Sequence, residues 1–334
     1  MSQIIELEPG QVRQYINAES VFRELSRTMV ESKDVRGSMF WREQSGSEYL
    51  IKEAAGGSQK SLGVRSDATE QIFKKFKERK TQVSERLSKL ISASNDQQRL
   101  NKALRVGRVP SVVVKTLNAI ARAGLQDHFI TIGTHALYAY ESACGVRFMP
   151  DMLATLDIDL LFDSRKRIAF AAQMQRGAGE DGMKSFIGVL QKADPSFRVM
   201  HDQKQTAVND AGFEVDVIRR FARDGDPHPL RMSDDEEDFW AVQVAGADKM
   251  LSTPRFSQMV VSETGHMAMM NTLDPLTFIA IKRMITAAPS RDPRKRHKDA
   301  LQADVVDELV RTRMPQFLEK PMRSDDGSSK SKAV

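Results

Sequence analysis

The chain contains a single cysteine, Cys144, among 334 residues. One thiol cannot form an intrachain disulfide, so a disulfide framework is excluded and a reducing compartment is the expected setting. The sequence has no run of about 18 apolar residues, and its first residues lack the basic start and apolar stretch of a secretory signal. We therefore expect a cytoplasmic protein that does not cross a membrane.

Motifs of several common enzyme classes are also missing. The six histidines and Cys144 do not have the spacing of a zinc site, and the chain has neither a P-loop nor a nucleophile elbow. Aromatic residues make up 7% of the chain, and no RNA-recognition module or aromatic stacking platform is visible in the sequence. The net charge of +5 is compatible with a polyanionic partner without requiring one.

The pattern of apolar residues predicts an α+β protein. We predict four segments: helices plus a β-hairpin over 1–125, a strand-rich core over 126–225, a mostly helical region over 226–320 and a disordered tail over 321–334. Within the first segment we predict a helix over Glu8–Lys33, a hairpin turning at Ser45-Gly46, a glycine loop over Ala54–Ser66, and a long helix capped by Asp67 and broken at Ser94–Gln98.

The long helix after Asp67 is strongly basic. Its charge pattern is more typical of a solvated helix face than of a nucleic-acid track. The cations on its outer faces are Lys74, Lys75, Lys77, Arg79, Lys80, Arg86 and Lys89.

Three segments of the predicted core carry the most chemical information: ITIGTHALYAY (Ile130–Tyr140), ATLDIDLLF (Ala154–Phe162) and GFEVDVIRR (Gly212–Arg220). Because side chains alternate along a strand, Asp157 and Asp159 project to the same face. Asp216 lies inside another apolar strand, and Glu214 on its face is a spare acid. Three carboxylates on buried strands are costly unless a divalent cation such as Mg²⁺ or Mn²⁺ binds them.

Each motif alone has a structural explanation, because a D-x-D pair is common and an aspartate at a strand end often caps a turn. The two carboxylate motifs together, after a strand–Gly-Thr–helix unit, favour a metal site. Gly133 permits close approach of the backbone to a phosphate, and Thr134 adds a hydroxyl near a helix N-terminus. The adjacent His135 is more typical of a cap or packing residue than of an acid or base.

Ile132-Gly133-Thr134, Asp157-Ile158-Asp159 and Asp216 resemble the hG[GS]…DhD…hDh signature of the DNA polymerase β-like nucleotidyltransferase superfamily. The segments KSLGVRS, GRVP, GTHALYAYE and TLDIDLLFD, with the helix around Lys298-Asp299 and Gln302-Ala303, are similar more narrowly to a little-characterised bacterial family of that superfamily. The narrower resemblance spans about Tyr49 to Val310. It implies a polymerase-β-like core with a mixed sheet flanked by helices.

The resemblance also implies residue roles. Asp157 and Asp159 would bridge two metal ions on an NTP, while Asp216 would hold the second ion and help to deprotonate the attacking hydroxyl. Gly133 and Thr134 would hold phosphate, although Thr134 stands where the superfamily usually has Ser or Gly. The list of candidate site residues is completed by two lysines that could neutralise the triphosphate, Lys282 and Lys298.

Two kinds of function remain open at this point. The first is an enzyme that transfers a nucleoside monophosphate from an NTP to a hydroxyl of RNA, a protein or a small molecule; the basic helix and the loop Arg291–Lys298 favour an RNA such as tRNA. The second is a non-catalytic regulatory, toxin–antitoxin or defence component that retains the fold. The two lysines also have a structural explanation, as surface residues of amphipathic helices.

Overall fold

The computed structural model describes residues 3–180, 184–223, 225–289 and 291–318. The predicted tail over 321–334 lies outside these ranges. The N-terminal elements are β1 (Ile4–Glu6), α1 (Pro9–Asp34), β2 (Ser38–Gln44), β3 (Ser47–Glu53), β4 (Gln59–Val64), α2 (Asp67–Ala103) and α3 (Ser111–Arg122).

The middle of the chain alternates short strands with short helices. Its elements are β5 (Phe129–Ile132), α4 (Leu137–Cys144), β6 (Val146–Phe148), α5 (Pro150–Leu153), β7 (Asp157–Phe162), α6 (Arg167–Glu180), α7 (Phe186–Gln191), β8 (Arg198–Val199), β9 (Thr206–Val208) and β10 (Glu214–Arg219). The last third contains β11 (Leu230–Arg231), β12 (Trp240–Gln243), α8 (Ala247–Ser252), β13 (Arg255–Val261), β14 (Met267–Leu273), α9 (Pro275–Ala287) and α10 (Pro293–Arg313).

Helices α1 and α2 pack against each other as an antiparallel pair, and β2, β3 and β4 form a separate antiparallel sheet beside this pair. Two cations of the basic helix are paired with α1: Arg79 lies 3.6 Å from Asp34, and Arg86 contacts Glu24 and Glu31. Part of the basic face is thus neutralised within the protein.

Three predictions for this region were wrong. The N-cap of α2 is Ser66, which shares a reciprocal capping box with Thr69, because the hydroxyl of Ser66 can reach the Thr69 amide. The helix is not broken at Ser94–Gln98, since polar residues there remain compatible with a helix that is largely exposed. Part of the predicted glycine loop is strand β4, which pairs with β3.

The main sheet contains nine strands within the described ranges. Seven of them follow the order β11-β12-β10-β7-β5-β14-β13, with β9 paired to β10 and β8 to β9. The pairs β10–β7, β10–β12 and β14–β5 are parallel, and β5–β7 is antiparallel, so the sheet is mixed. This is the α+β architecture that the sequence predicts, with helices packed on the sheet.

The sheet has two chemically different faces near its centre. Ile158, Leu160 and Phe162 of β7 are fully buried on what we call the back face, where Phe162 contacts Phe129 and Phe129 stacks on Phe186 of α7. Asp157 and Asp159 alternate with them and therefore lie on the opposite, front face. The buried back face holds the strands in place, and the front face presents the polar groups.

The last third of the chain contributes to the same sheet. Strands β13 and β14 form a hairpin about Thr264-Gly265, and β14 pairs with β5. The predicted segment boundary at 225 is therefore crossed by the sheet. Helix α6 extends to Glu180. No helix of the described residues is long and apolar enough to cross a bilayer.

Candidate metal and phosphate site

The three aspartates singled out by the sequence lie together on the front face. Strands β7 and β10 run parallel, with Asp159 opposite Asp216 and Asp157 opposite Glu214. Asp157, Asp159 and Asp216 each offer a carboxylate oxygen, and these oxygens all lie within 4.8 Å of one another. Asp216, which lies 57 positions after Asp159 in the sequence, thus joins Asp157 and Asp159 in one cluster of hard oxygen donors, which suits a divalent cation such as Mg²⁺ or Mn²⁺.

The electrostatics of the cluster show that its negative charge is unbalanced. Burial, followed by the repulsion of Asp157 and Asp216, raises the pKa of Asp159 from 3.8 to about 7. Burial also raises the pKa of Asp216, and a hydrogen bond from the Thr206 hydroxyl opposes that rise. Within the described ranges no lysine or arginine forms an ion pair with these three carboxylates. A bound cation would remove the repulsion.

Neighbouring hydroxyl groups fix the orientation of two of the carboxylates. Thr155 donates a hydrogen bond to Asp157, and Thr206 on β9 donates one to Asp216. Such partners of ligand side chains hold the ligand atoms in place before the metal binds.

The Gly-Thr turn lies directly beside the cluster, since Ile132 pairs with Asp159 across β5 and β7. Gly133 has a φ of +68°, and a Cβ atom there would lie 2.2 Å from Oδ2 of Asp159. Both the left-handed backbone and the carboxylate therefore require glycine at this position. The carboxylate of Asp159 is in effect packed against the backbone of the turn.

Thr134 is held by a residue that the sequence reasoning missed as a site residue. Gln302 of α10 is fully buried and donates from Nε2 to Thr134 Oγ1 at 3.2 Å and to the Met152 carbonyl at 2.6 Å. Because the Thr134 oxygen accepts this bond, its own proton remains able to donate to a ligand. The family resemblance includes the Gln302 position, but nothing in the local pattern indicates the contact with Thr134.

The two candidate lysines lie on α9 and α10, near the cluster. Lys282 is buried and donates to Asp299 at 2.6 Å, and its charge lowers the pKa of Asp159. Lys298 donates to the Ala154 carbonyl at 2.7 Å, and burial followed by the charge of Lys282 lowers the pKa of Lys298. Lys295, which the sequence reasoning did not select, also lowers the pKa of Asp159.

Two other residues that could act as an acid or a base, His135 and Glu214, lie outside the carboxylate cluster. His135 is buried between the rings of Tyr138 and Phe213, and burial lowers the pKa of its imidazole to about 4, so the ring is neutral at pH 7. Glu214 lies opposite Asp157 but is not among the three close carboxylates. The arrangement as a whole is a carboxylate cluster next to a glycine turn, with lysines on one side.

Comparison with known protein families identifies a match over more than half of the chain. A family model described as "Nucleotidyltransferase" matches residues 111–325, from the start of α3 to beyond the end of α10, and includes every site residue described above. No curated protein and no solved structure matched the chain.

Proposed function

Since the chain belongs to the nucleotidyltransferase family, a family of enzymes that transfer phosphorus-containing groups, we propose that it moves a nucleoside monophosphate from an NTP to an acceptor hydroxyl. The observation that carries this proposal is the convergence of Asp157, Asp159 and Asp216 to within 4.8 Å beside the turn at Gly133. We further assign the core to the polymerase β-like superfamily and to its bacterial branch. This assignment rests on the resemblance of the three motifs.

The chemistry of the donor set fits Mg²⁺ or Mn²⁺. All three ligands are carboxylates, the donors that hard cations prefer, and the raised pKa of Asp159 reflects a charge that such a cation would balance. In our proposal Asp157 and Asp159 would together hold two metal ions, and Asp216 would also bind the second of these ions. When bound, such ions neutralise the phosphates and lower the pKa of the attacking hydroxyl.

Other residues of the chain would bind the phosphates, balance their charge and take the proton from the acceptor. The backbone at Gly133 and the free hydroxyl proton of Thr134 would donate to phosphate oxygens, with Gln302 orienting Thr134. Lys298, Lys295 and Lys282 would balance the charge of the triphosphate. Lys282 is already engaged with Asp299 and would act at longer range. Asp216, held in position by the Thr206 hydroxyl, would help to take the proton from the acceptor hydroxyl.

Among the acceptors that carry a hydroxyl we favour RNA, in a cytoplasmic setting. Most of the basic stretch Arg291–Lys298, which was predicted as a loop, forms the first turns of α10, next to the proposed triphosphate site. Burial raises the pKa of the single thiol, Cys144, to about 11, which agrees with an unreactive cysteine in a reducing compartment. The alternative of a non-catalytic regulatory or defence component gains no support, because all three carboxylates are present and clustered.

Thermal denaturation tests the proposed binding of metal and NTP at the aspartate cluster. We expect Mg²⁺ or Mn²⁺ together with an NTP to raise the melting temperature by mass action. Asp157→Asn should remove this rise, whereas Glu214→Gln, on the same face but outside the cluster, should preserve it. Incubation with α-phosphate-labelled NTP and cell extract should then place label on the acceptor and release pyrophosphate. If metal plus NTP has no effect and Asp157→Asn leaves metal binding unchanged, the proposed function is wrong.

A further inference from the structure

Strand β12, next to β10, places an exposed tryptophan on the front face of the sheet. Val242 pairs with Ile218 in parallel register, and Ile218 shares its face with Asp216. Phe239 and Ala241 point to the back face, where Phe239 contacts Phe186 of α7. Trp240 and Val242, which alternate with them, therefore lie on the carboxylate face, and they are 38% and 41% exposed.

Two cations flank this apolar pair. Arg231 pairs directly with Trp240 across the antiparallel β11–β12 contact, so the two side chains share a face. The Trp240 amide donates to the carbonyl of Lys204, two residues before Thr206, which orients Asp216. Over the described ranges neither Arg231 nor Lys204 has an ion pair or a side-chain hydrogen bond. We call Trp240, Val242, Arg231 and Lys204 the edge pad.

The order of strands places the edge pad on the acceptor side of the site. The sheet runs from β5, which carries the Gly133 turn, through β7 and β10 to β12. If the triphosphate lies at Gly133 and the lysines, in-line displacement requires the attacking hydroxyl to approach from the side opposite the leaving pyrophosphate. That direction leads past Asp216 to β9 and β12.

An acidic loop next to the edge pad restricts what can bind there. Residues 234–237 are all acidic and exposed. Asp238 fixes the end of this loop by accepting from the amides of Phe186 and Ile187 at 2.8 Å, on the back face. Two unpaired cations close to four acids do not form a track for a long polyanion. They fit one nucleotide whose base stacks on an aromatic ring.

We propose that the edge pad binds the terminal nucleotide of a single-stranded RNA acceptor, with its base stacked on Trp240 and its phosphate near Arg231. That the bound RNA is the acceptor depends on the function proposed above, whereas its binding does not. Because the pad holds a single nucleotide, affinity should depend only weakly on RNA length and on salt.

Intrinsic fluorescence tests this directly, because the chain has only two tryptophans, Trp41 and Trp240. In Trp41→Phe, a short single-stranded oligoribonucleotide with a free 3′ hydroxyl should quench the remaining tryptophan. In Trp240→Phe, where only Trp41 of β2 remains, the same RNA should cause no quenching. Anisotropy of end-labelled RNA should show that Trp240→Ala binds about 5- to 100-fold more weakly, the loss typical of one base–aromatic stack. Trp240→Phe should restore most of the affinity.

The possible outcomes distinguish failure of the edge-pad proposal from failure of the proposed function. If RNA binds without quenching Trp240 and Trp240→Ala binds as tightly as the unmodified protein, the pad is refuted. It is equally refuted if no RNA binds, for instance because the acceptor is a protein, even when metal plus NTP still raises the melting temperature. If the melting temperature does not respond but RNA quenches Trp240, the pad stands and the proposed function fails. Unchanged melting of Trp240→Ala without ligands excludes loss of fold.

Discussion

Replacing Asp159 by asparagine should stabilise the metal-free protein. The amide keeps the shape of the carboxyl group but carries no charge, so it removes the burial cost of the carboxylate and its repulsion with Asp157 and Asp216. The folded-state pKa of about 7 lies above the 3.8 of the free group. Between about pH 4 and pH 7 the folded protein therefore holds a proton that the unfolded chain has released, and stability is lost as the pH rises through this window.

The size of the effect follows from the pKa difference. A rise from 3.8 to about 7, at about 1.4 kcal/mol per unit, gives an upper limit of about 4 kcal/mol above pH 7. Relaxation and water entry reduce this value, so we expect Asp159→Asn to gain about 1–4 kcal/mol at about pH 8. At roughly 2 °C per kcal/mol for a chain of this size, the melting temperature should rise by about 2–8 °C.

Differential scanning calorimetry in the presence of a chelator measures this gain. The matched control is Glu214→Gln, which removes a carboxylate from the same face next to the cluster and should change the melting temperature little. Addition of Mg²⁺ or Mn²⁺ should then stabilise the unmodified protein and the control but not Asp159→Asn. If Asp159→Asn melts at or below the temperature of the unmodified protein in chelator at about pH 8, the electrostatic reasoning is refuted.

Three further predictions concern the surroundings of the cluster. Gly133→Ala, whose Cβ would lie 2.2 Å from Oδ2 of Asp159, should lower the free energy of unfolding by about 1–3 kcal/mol and abolish the rise in melting temperature with metal plus NTP. In the same melting experiment the control Gly56→Ala, which has open space around it, should show neither effect. Lys298→Ala should weaken NTP binding about 10- to 100-fold in calorimetric titration while leaving the response to metal alone intact. His135, with a folded pKa of about 4 against 6.5, stabilises the fold above about pH 6.5 and loses this contribution as the pH falls towards 4. In urea denaturation, the free energy of unfolding of His135→Phe should fall by about 2 kcal/mol less than that of the unmodified protein when the pH is lowered from about 7.5 to about 5. Equal decreases in the two proteins would contradict a neutral, buried histidine.

Several elements could be predicted because their signals are local. Side-chain alternation along β7 places Asp157 and Asp159 on one face whatever the sheet around them, and the structure shows this arrangement. Periodic apolar residues likewise predicted a helix over Glu8–Lys33, which is α1 (Pro9–Asp34) in the structure. The predicted N-cap of α2, Asp67, was wrong, because the preceding residue, Ser66, caps the helix instead.

The contacts that complete the site depend on pairing between distant segments. Thr206 reaches Asp216 because β9 lies antiparallel to β10, and Gln302 reaches Thr134 because α10 packs over the turn. The pattern of apolar residues in β9 or in α10 does not indicate which distant segment each of them contacts. The same holds for Trp240, which in the sequence only follows an acidic stretch and in the fold shares a face with the carboxylates.

The sequence by itself determined which groups are available for chemistry: three strand aspartates, a Gly-Thr turn and a set of lysines, in an order that resembles nucleotidyltransferases. It could do so because residue type and strand period are properties of short segments. Only the tertiary structure decided that Asp159 lies against Gly133, that Lys282 is tied to Asp299, and that Trp240 of β12 lies beyond Asp216. These depend on the register between strands and on helix packing, which are fixed by burial of the whole core rather than by any one segment.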